Sequence, residues 1–244
     1  METQMTNNNK DASPLRHYTN VGCLKSILEQ DALCLSDGRN KGRGSGTEHP
    51  WDDQNDVEVI KLYYQKTGKT PYIGCFTHSI SLHHWEYYGK HNSIFCKAPE
   101  DDIKCCIVLD YPQFQNYIMG LKNNYEWDIQ MKSVTYMSAT RLRKESIKDE
   151  NLLFTKKYGF GVDKEERVVL YSSKDLNTND FHRSLRGITK FIKKIVIYKN
   201  GSTDTKAFEN AQMFFRNKYP KLIMDTSALT KSETWLANLK KANK

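Results

Sequence analysis

Apolar positions recur with helical spacing at Val21, Leu24, Ile27 and Leu28, and Asn20 stands just ahead of them where an N-cap is wanted. A helix is predicted there. Alternation in "ALCLS" (32–36) predicts a short strand. The Gly-, Asp- and Asn-rich stretch from 37 to 56 has no period and must be loop. Helical spacing returns through Val59, Leu62 and Tyr63 and stops at Gly68. "YIGCFTHS" (72–79) reads as a strand, and 81–91 as a short helix capped by Ser81 and stopped by Gly89. Strands are predicted at 94–99 and 104–111, joined by "PEDD" as a hairpin or tight return. The stretch 111–130 is ambiguous but holds helical spacing. Further strands are predicted at 132–137, 165–173 and 191–200. A helix over 205–220 ends at Pro220, and 232–244 looks like a last helical stretch. Strands dominating the middle and late chain predict an α+β fold with flanking helices over a doubly wound sheet.

Composition sharpens this outline. With 38% hydrophobic and 11% aromatic residues over 244 positions, the chain can bury a core, which excludes global disorder. No run approaches the roughly 18 apolar residues of a membrane span. Residues 1–13 are polar, lack the apolar region of a secretory signal and read as a disordered tail; 14–244 reads as one cytoplasmic domain. The six cysteines form no C-x-x-C pair, so free buried thiols are expected and no metal. Thirty-seven Lys and Arg against 29 Asp and Glu leave +8, which suits an anionic partner such as RNA or DNA as well as it suits a solubilising surface.

Three stretches carry candidate chemistry. In "HYT" (17–19), strand alternation puts His17 and Thr19 on one face and Tyr18 on the other. The imidazole can bond a sugar hydroxyl and an aromatic can stack on a flat ring, or the pair can simply pack. In "CFTHSISLHHWEYYG", Thr77 and Ser79 share a face, and Trp85 and Tyr88 lie three apart on one helix face. His78, His83 and His84 lack the i, i+4 spacing of a zinc clip. In "KEERVVLY", Glu165 and Arg167 share a face while Glu166 points the other way. Two carboxylates opening an apolar strand run against strand propensity.

Taken in order, "HYT" at 17, "ND.E" at 55–58, "CFTHS" at 75, "HWEYYG" at 84 and "KK…EERVV" from 156 resemble the ADP-ribosyltransferase superfamily, and more closely an uncharacterised bacterial branch of it. The resemblance spans about 15–200. It implies a split-sheet α+β fold that takes NAD as a substrate, and transfer of ADP-ribose by a bacterial toxin or anti-phage effector. By that likeness His17 orients the nicotinamide-side ribose, and Tyr18 and Thr19 line the nicotinamide pocket. Thr77 or Ser79 fills the second-strand position, and Trp85 and Tyr88 wall the cleft. Glu165 matches the catalytic glutamate best, with Glu166 the runner-up. Two departures stand out: a long loop whose Arg39 and Arg43 could meet a phosphate, and no tryptophan between Lys157 and Glu165.

The excess charge, with Lys and Arg interleaved among aromatics in "FFRNKYPK" (214–221), leans the target towards a nucleic-acid base. A protein target is the alternative within the same chemistry. A nucleic-acid-binding module or inactive scaffold is the alternative outside it. A toxin would also bring an antitoxin or chaperone partner.

Overall fold

The computed structural model describes residues 14–38, 54–80, 85, 97–125, 128–138, 147–157, 164–176, 183–199 and 204–227. The sequence-predicted tail, the basic loop with Arg39 and Arg43, Tyr88, His83, His84 and the last helical stretch lie outside them.

Twelve strands and five helices are described. In chain order they are β1 (Leu15–Asn20), α1 (Val21–Gln30), β2 (Ala32–Cys34), β3 (Ser36–Asp37), α2 (Gln54–Thr67), β4 (Thr70–Thr77) and β5 (Lys104–Leu109). Then come α3 (Tyr111–Tyr125), β6 (Ile129–Ser133), β7 (Thr135–Met137), α4 (Asp149–Leu152), β8 (Thr155–Lys157) and β9 (Glu165–Ser172). The last are β10 (Ser184–Arg186), β11 (Ile192–Tyr198), α5 (Thr205–Lys218) and β12 (Met224–Ser227). The architecture is mixed α+β around a central sheet of order β12-β11-β5-β1-β4-β9-β6, with β3 pairing β4. Only β11 and β12 run parallel in that sheet, joined through α5.

Period-2 alternation sorts the sheet's side chains into three packed groups. On one face, Leu15, Cys105, Ile107, Leu109, Tyr72, Phe76, Val168, Leu170, Ile195 and Ile197 meet the apolar stripes of α1, α3 and α5. On the other face, Ile73, Val169 and Tyr171 meet Ile60 and Tyr63 of α2 and Leu152 of α4. Beside them, Tyr18, Cys106, Val108 and Tyr198 surround Trp85.

The predicted α1 is present, its Asn20 side chain accepting from the Cys23 amide at 2.8 Å. Elsewhere tertiary pairing redraws the outline. "ALCLS" splits into β2, which pairs β10, and β3, which pairs β4. "PEDD" is a 3-10 turn and closes no hairpin, because β5 is flanked by β1 and β11. The apolar face of α2 uses Ile60 and Tyr63, whereas Leu62 is exposed. The five described cysteines are free, and burial pushes the Cys106 thiol up to about 12, which keeps it protonated.

The centre of the sheet is pinched. Where β1 and β5 share six residue pairs, β1 and β4 share one, Arg16 opposite Thr77. Beyond that pair, three consecutive side chains of β1 reach the carbonyls of β4 and its continuation. His17 bonds the Cys75 carbonyl at 3.0 Å, Arg16 donates to His78 O at 2.9 Å, and Tyr18 donates to Ser79 O at 3.3 Å. Side chains therefore do what a backbone ladder does elsewhere, and the "HY" pair sits where the sheet opens.

Candidate functional site around Glu166

Strand β9 begins with two carboxylates, and the sheet sends them to opposite faces. Glu165 lies opposite Thr77 and shares its face with Arg167; Glu166 lies opposite Phe76 on β4 and opposite Ser133 on β6. Phe76 belongs to the face of Leu15 and Ile107, which is also the face of His17. His17 and Phe76 approach with ring centroids 5.5 Å apart. The face that carries His17 at the pinch thus carries Glu166 two strands away, with Phe76 between them.

Three groups gather at Glu166. The Ser133 hydroxyl donates to Glu166 Oε1 in a short hydrogen bond. His78, two residues after Phe76, places Nε2 3.7 Å from the same oxygen, forming an ion pair when the ring is protonated. Tyr111, the first residue of α3, meets His78 edge to face with centroids 4.8 Å apart. Burial and the Glu166 charge both raise the Tyr111 phenol above its ordinary value, so it stays a hydrogen-bond donor. Glu166 is buried while Ser133 is exposed at the edge strand, so the site reaches solvent at β6. Oε2 of Glu166 has no hydrogen-bond partner among the described residues.

His17 is held in one tautomer. Only an Nδ1–H can satisfy the Cys75 carbonyl at 3.0 Å, which leaves Nε2 as an acceptor. Desolvation by burial lowers the imidazole pKa below its ordinary 6.5, against the opposing pull of the carbonyl, so the ring is neutral. A neutral ring whose second nitrogen has no partner among the described residues can accept a hydroxyl proton and offers no charge.

Glu165 has a different environment. Arg167 grips its carboxylate from one side, with Nε at 2.6 Å and Nη2 at 3.3 Å, and the Lys156 ammonium approaches to 3.0 Å. Arg167 also donates to the Leu153 carbonyl at 2.8 Å. All three charged side chains are buried. Both Glu165 oxygens are occupied, and they face α2 and α4, away from His17.

The remaining sequence-predicted residues divide along the same alternation. Thr19 is buried on the His17 face, opposite Cys105. Tyr18 and Trp85 leave for the other face, where they meet edge to face at 4.8 Å and Trp85 stacks on Tyr198 at 4.9 Å. They are packed aromatic core there, so the pocket expected from His17 and Tyr18 together is not formed by both. Thr77 shares the Glu165 face, and its hydroxyl accepts from the Ser79 amide at 2.9 Å. It too is parted from His17. Sequence reading weighed His78 only as a metal ligand and overlooked Phe76, Tyr111 and Ser133. Alternation does put Phe76 and His78 on one face; nothing in the chain pattern brings Ser133 or Tyr111 to them.

Among the described residues no group of three or more His, Cys, Asp and Glu is placed to hold a metal, and no helix is long and apolar enough to cross a membrane. No protein-family model matches the chain, and no curated protein is similar enough to stand as a relative.

Proposed function

We propose that the chain is an NAD-dependent ADP-ribosyltransferase in which Glu166, rather than Glu165, is the working carboxylate. One observation carries the reading. Glu166 and His17 emerge on one face of a sheet pinched between β1 and β4, each with an acceptor atom that no described residue engages, whereas Glu165 is saturated on the other face. The ordered resemblance of the sequence to ADP-ribosyltransferases supplies the reaction class.

In that reaction the bond from the nicotinamide nitrogen to ribose C1′ breaks and its electron pair leaves with nicotinamide. A lone pair of the acceptor then forms the new bond at C1′, and the acceptor's proton goes to a base or to water. Positive charge builds on the ribose as the bond breaks. Glu166 stabilises it through Oε2, which can accept from the adjacent ribose hydroxyl, a contact that strengthens as the charge develops. Ser133 holds Oε1 and so orients Oε2. His17 Nε2 accepts from a second hydroxyl and fixes the sugar's position, and Phe76 offers a flat apolar wall. Tyr111 and His78 close the far side of the carboxylate.

A nucleic-acid acceptor is favoured by where the charge lies. Residues 183–227 hold ten Lys and Arg against three Asp and Glu, a net of +7 in a chain whose total is +8. Most of that excess belongs to the stretch from β11 through α5 to β12, at the end of the central sheet opposite β9 and β6, while β10 pairs β2 outside that sheet. Such a concentration suits phosphate contacts, with a bacterial toxin or anti-phage effector as the setting. The same charge also favours a second reading, a nucleic-acid-binding module without catalysis.

Incubating the protein with labelled NAD and, separately, cellular RNA, DNA and protein tests both. Label in a nucleic-acid fraction, lost in Glu166→Gln, is the expected result. Binding of RNA or DNA that weakens steeply with salt, with no NAD consumption in any tube, would leave the binding module as the correct reading.

A further inference from the structure

A strained, charged junction lies two residues before Glu166. Lys164 has φ of 43°, in the left-handed region where a non-glycine residue is disfavoured. Such a backbone persists when its surroundings hold it from several sides, and here they do. The Lys164 carbonyl accepts from the His78 amide at 3.4 Å. The next amide, that of Glu165, donates to the Tyr136 hydroxyl at 3.1 Å, and the Glu165 carbonyl accepts from Val134 at 2.8 Å. Tyr136 and Lys156 face each other across the parallel pair β7–β8, so one two-stranded unit grips Glu165 by its backbone and by its carboxylate.

A buried cluster of Lys156, Glu165 and Arg167 is an expensive way to stabilise a strand, since desolvation offsets much of the attraction. What it does supply is a fixed geometry: a forked guanidinium contact, a third bond from an ammonium, and an anchor to the Leu153 carbonyl next to α4. The residue whose position this geometry determines is the next one along.

We propose that Lys156, acting through Glu165, is a positioning residue: the β7–β8 unit clamps the first residue of β9 from behind, and this keeps the Glu166 carboxylate against Ser133 and His78. The inference rests on Glu166 being the working carboxylate, but it concerns geometry in the free protein and needs no NAD to be tested.

His78 reports on that geometry because its Nε2 lies 3.7 Å from Glu166 Oε1. Among the described residues, Glu166 from β9 and the Tyr111 phenol from α3 approach the ring, and the Arg16 guanidinium from β1 donates to the His78 carbonyl at 2.9 Å. The experiment follows the His78 ring by histidine-selective NMR through a pH titration of the full-length chain, its resonance assigned by its loss in His78→Gln. Glu166→Gln sets the uncoupled reference, with the His78 apparent pKa lowered by about one unit. Lys156→Met is expected to move His78 at least half of the way to that reference, and Lys156→Arg, which keeps a donor to Glu165, to stay near wild type. A wild-type His78 titration in folded Lys156→Met would overturn the proposal, as would equal displacement in Lys156→Arg. Should Lys156→Met not fold, Tyr136→Phe decides. It removes the hydroxyl that accepts from the Glu165 amide and is expected to shift His78 in the same direction, while an unmoved His78 overturns the clamp. Absence of NAD turnover with these shifts intact would reject the transferase reading and leave the clamp standing.

Discussion

Glu165 and Glu166 are the same residue type, adjacent, and equally buried, yet they live in opposite chemical worlds. On one side of β9 the carboxylate is matched by a guanidinium fork and an ammonium, behind a wall formed by α2 and α4. On the other, one oxygen is held by a serine at the exposed end of the edge strand, and the second has no described partner. Saturation and poise are the two uses of a buried carboxylate. A group already paired with two cations has little left to give a developing positive charge, whereas a group oriented by one neutral donor keeps its field for whatever enters.

The contrast breaks most readily through stability. Glu165→Gln leaves two buried cations without their counter-charge and is expected to cost about 3–5 kcal/mol in urea unfolding. Glu166→Gln keeps shape and a serine contact and should cost about 1 kcal/mol at most. Equal losses would erase the distinction between the two faces. In transfer assays the ranking reverses: Glu166→Gln is expected to lower NAD-dependent transfer by about 10²–10³-fold, the scale of one lost electrostatic contact to a transition state. Full transfer in Glu166→Gln would remove it from the reaction.

A smaller effect sharpens the same side. Ser133→Ala frees Oε1 without removing the charge, and is expected to lower kcat by about tenfold with KM little changed, in line with one hydrogen bond. A change confined to KM would mean that Ser133 touches the ligand and does not orient Glu166.

The gentlest test concerns His17. Its imidazole pKa lies below 6.5 in the folded chain, so the unfolded chain binds more protons between that lowered value and 6.5. Its contribution to stability is complete above pH 6.5 and is lost as the pH falls through that window. His17→Gln should therefore flatten the pH dependence of unfolding there, as followed by urea midpoints from pH 7 downward. An unchanged slope would show that His17 is not held neutral by its surroundings.

Much of the local outline was legible. The α1 stripe, the Asn20 cap and strand β9 follow from spacing and side-chain chemistry within a few residues. So did the parting of Glu165 from Glu166, and of His17 from Tyr18, because successive side chains of a strand must alternate. Three short strands, β8, β10 and β12, escaped, since each is four residues or fewer and owes its existence to a partner remote in sequence.

What alternation could not say is which face is which. The resemblance favours Glu165 with Glu166 the runner-up, and alternation alone cannot tell their surroundings apart before β4, β6 and β8 are placed around them, because the identity of a face depends on what packs there. Ser133 lies 33 positions from Glu166 and Lys156 nine from Glu165, and neither spacing belongs to a local motif. The amino-acid sequence by itself determined that two carboxylates open a buried strand on opposite sides and that positive charge gathers near the C-terminal end of the chain. Only the tertiary structure decided that one carboxylate is paired with two cations while the other keeps an oxygen that no described residue engages, since pairing and desolvation are set by neighbours that the chain brings from afar.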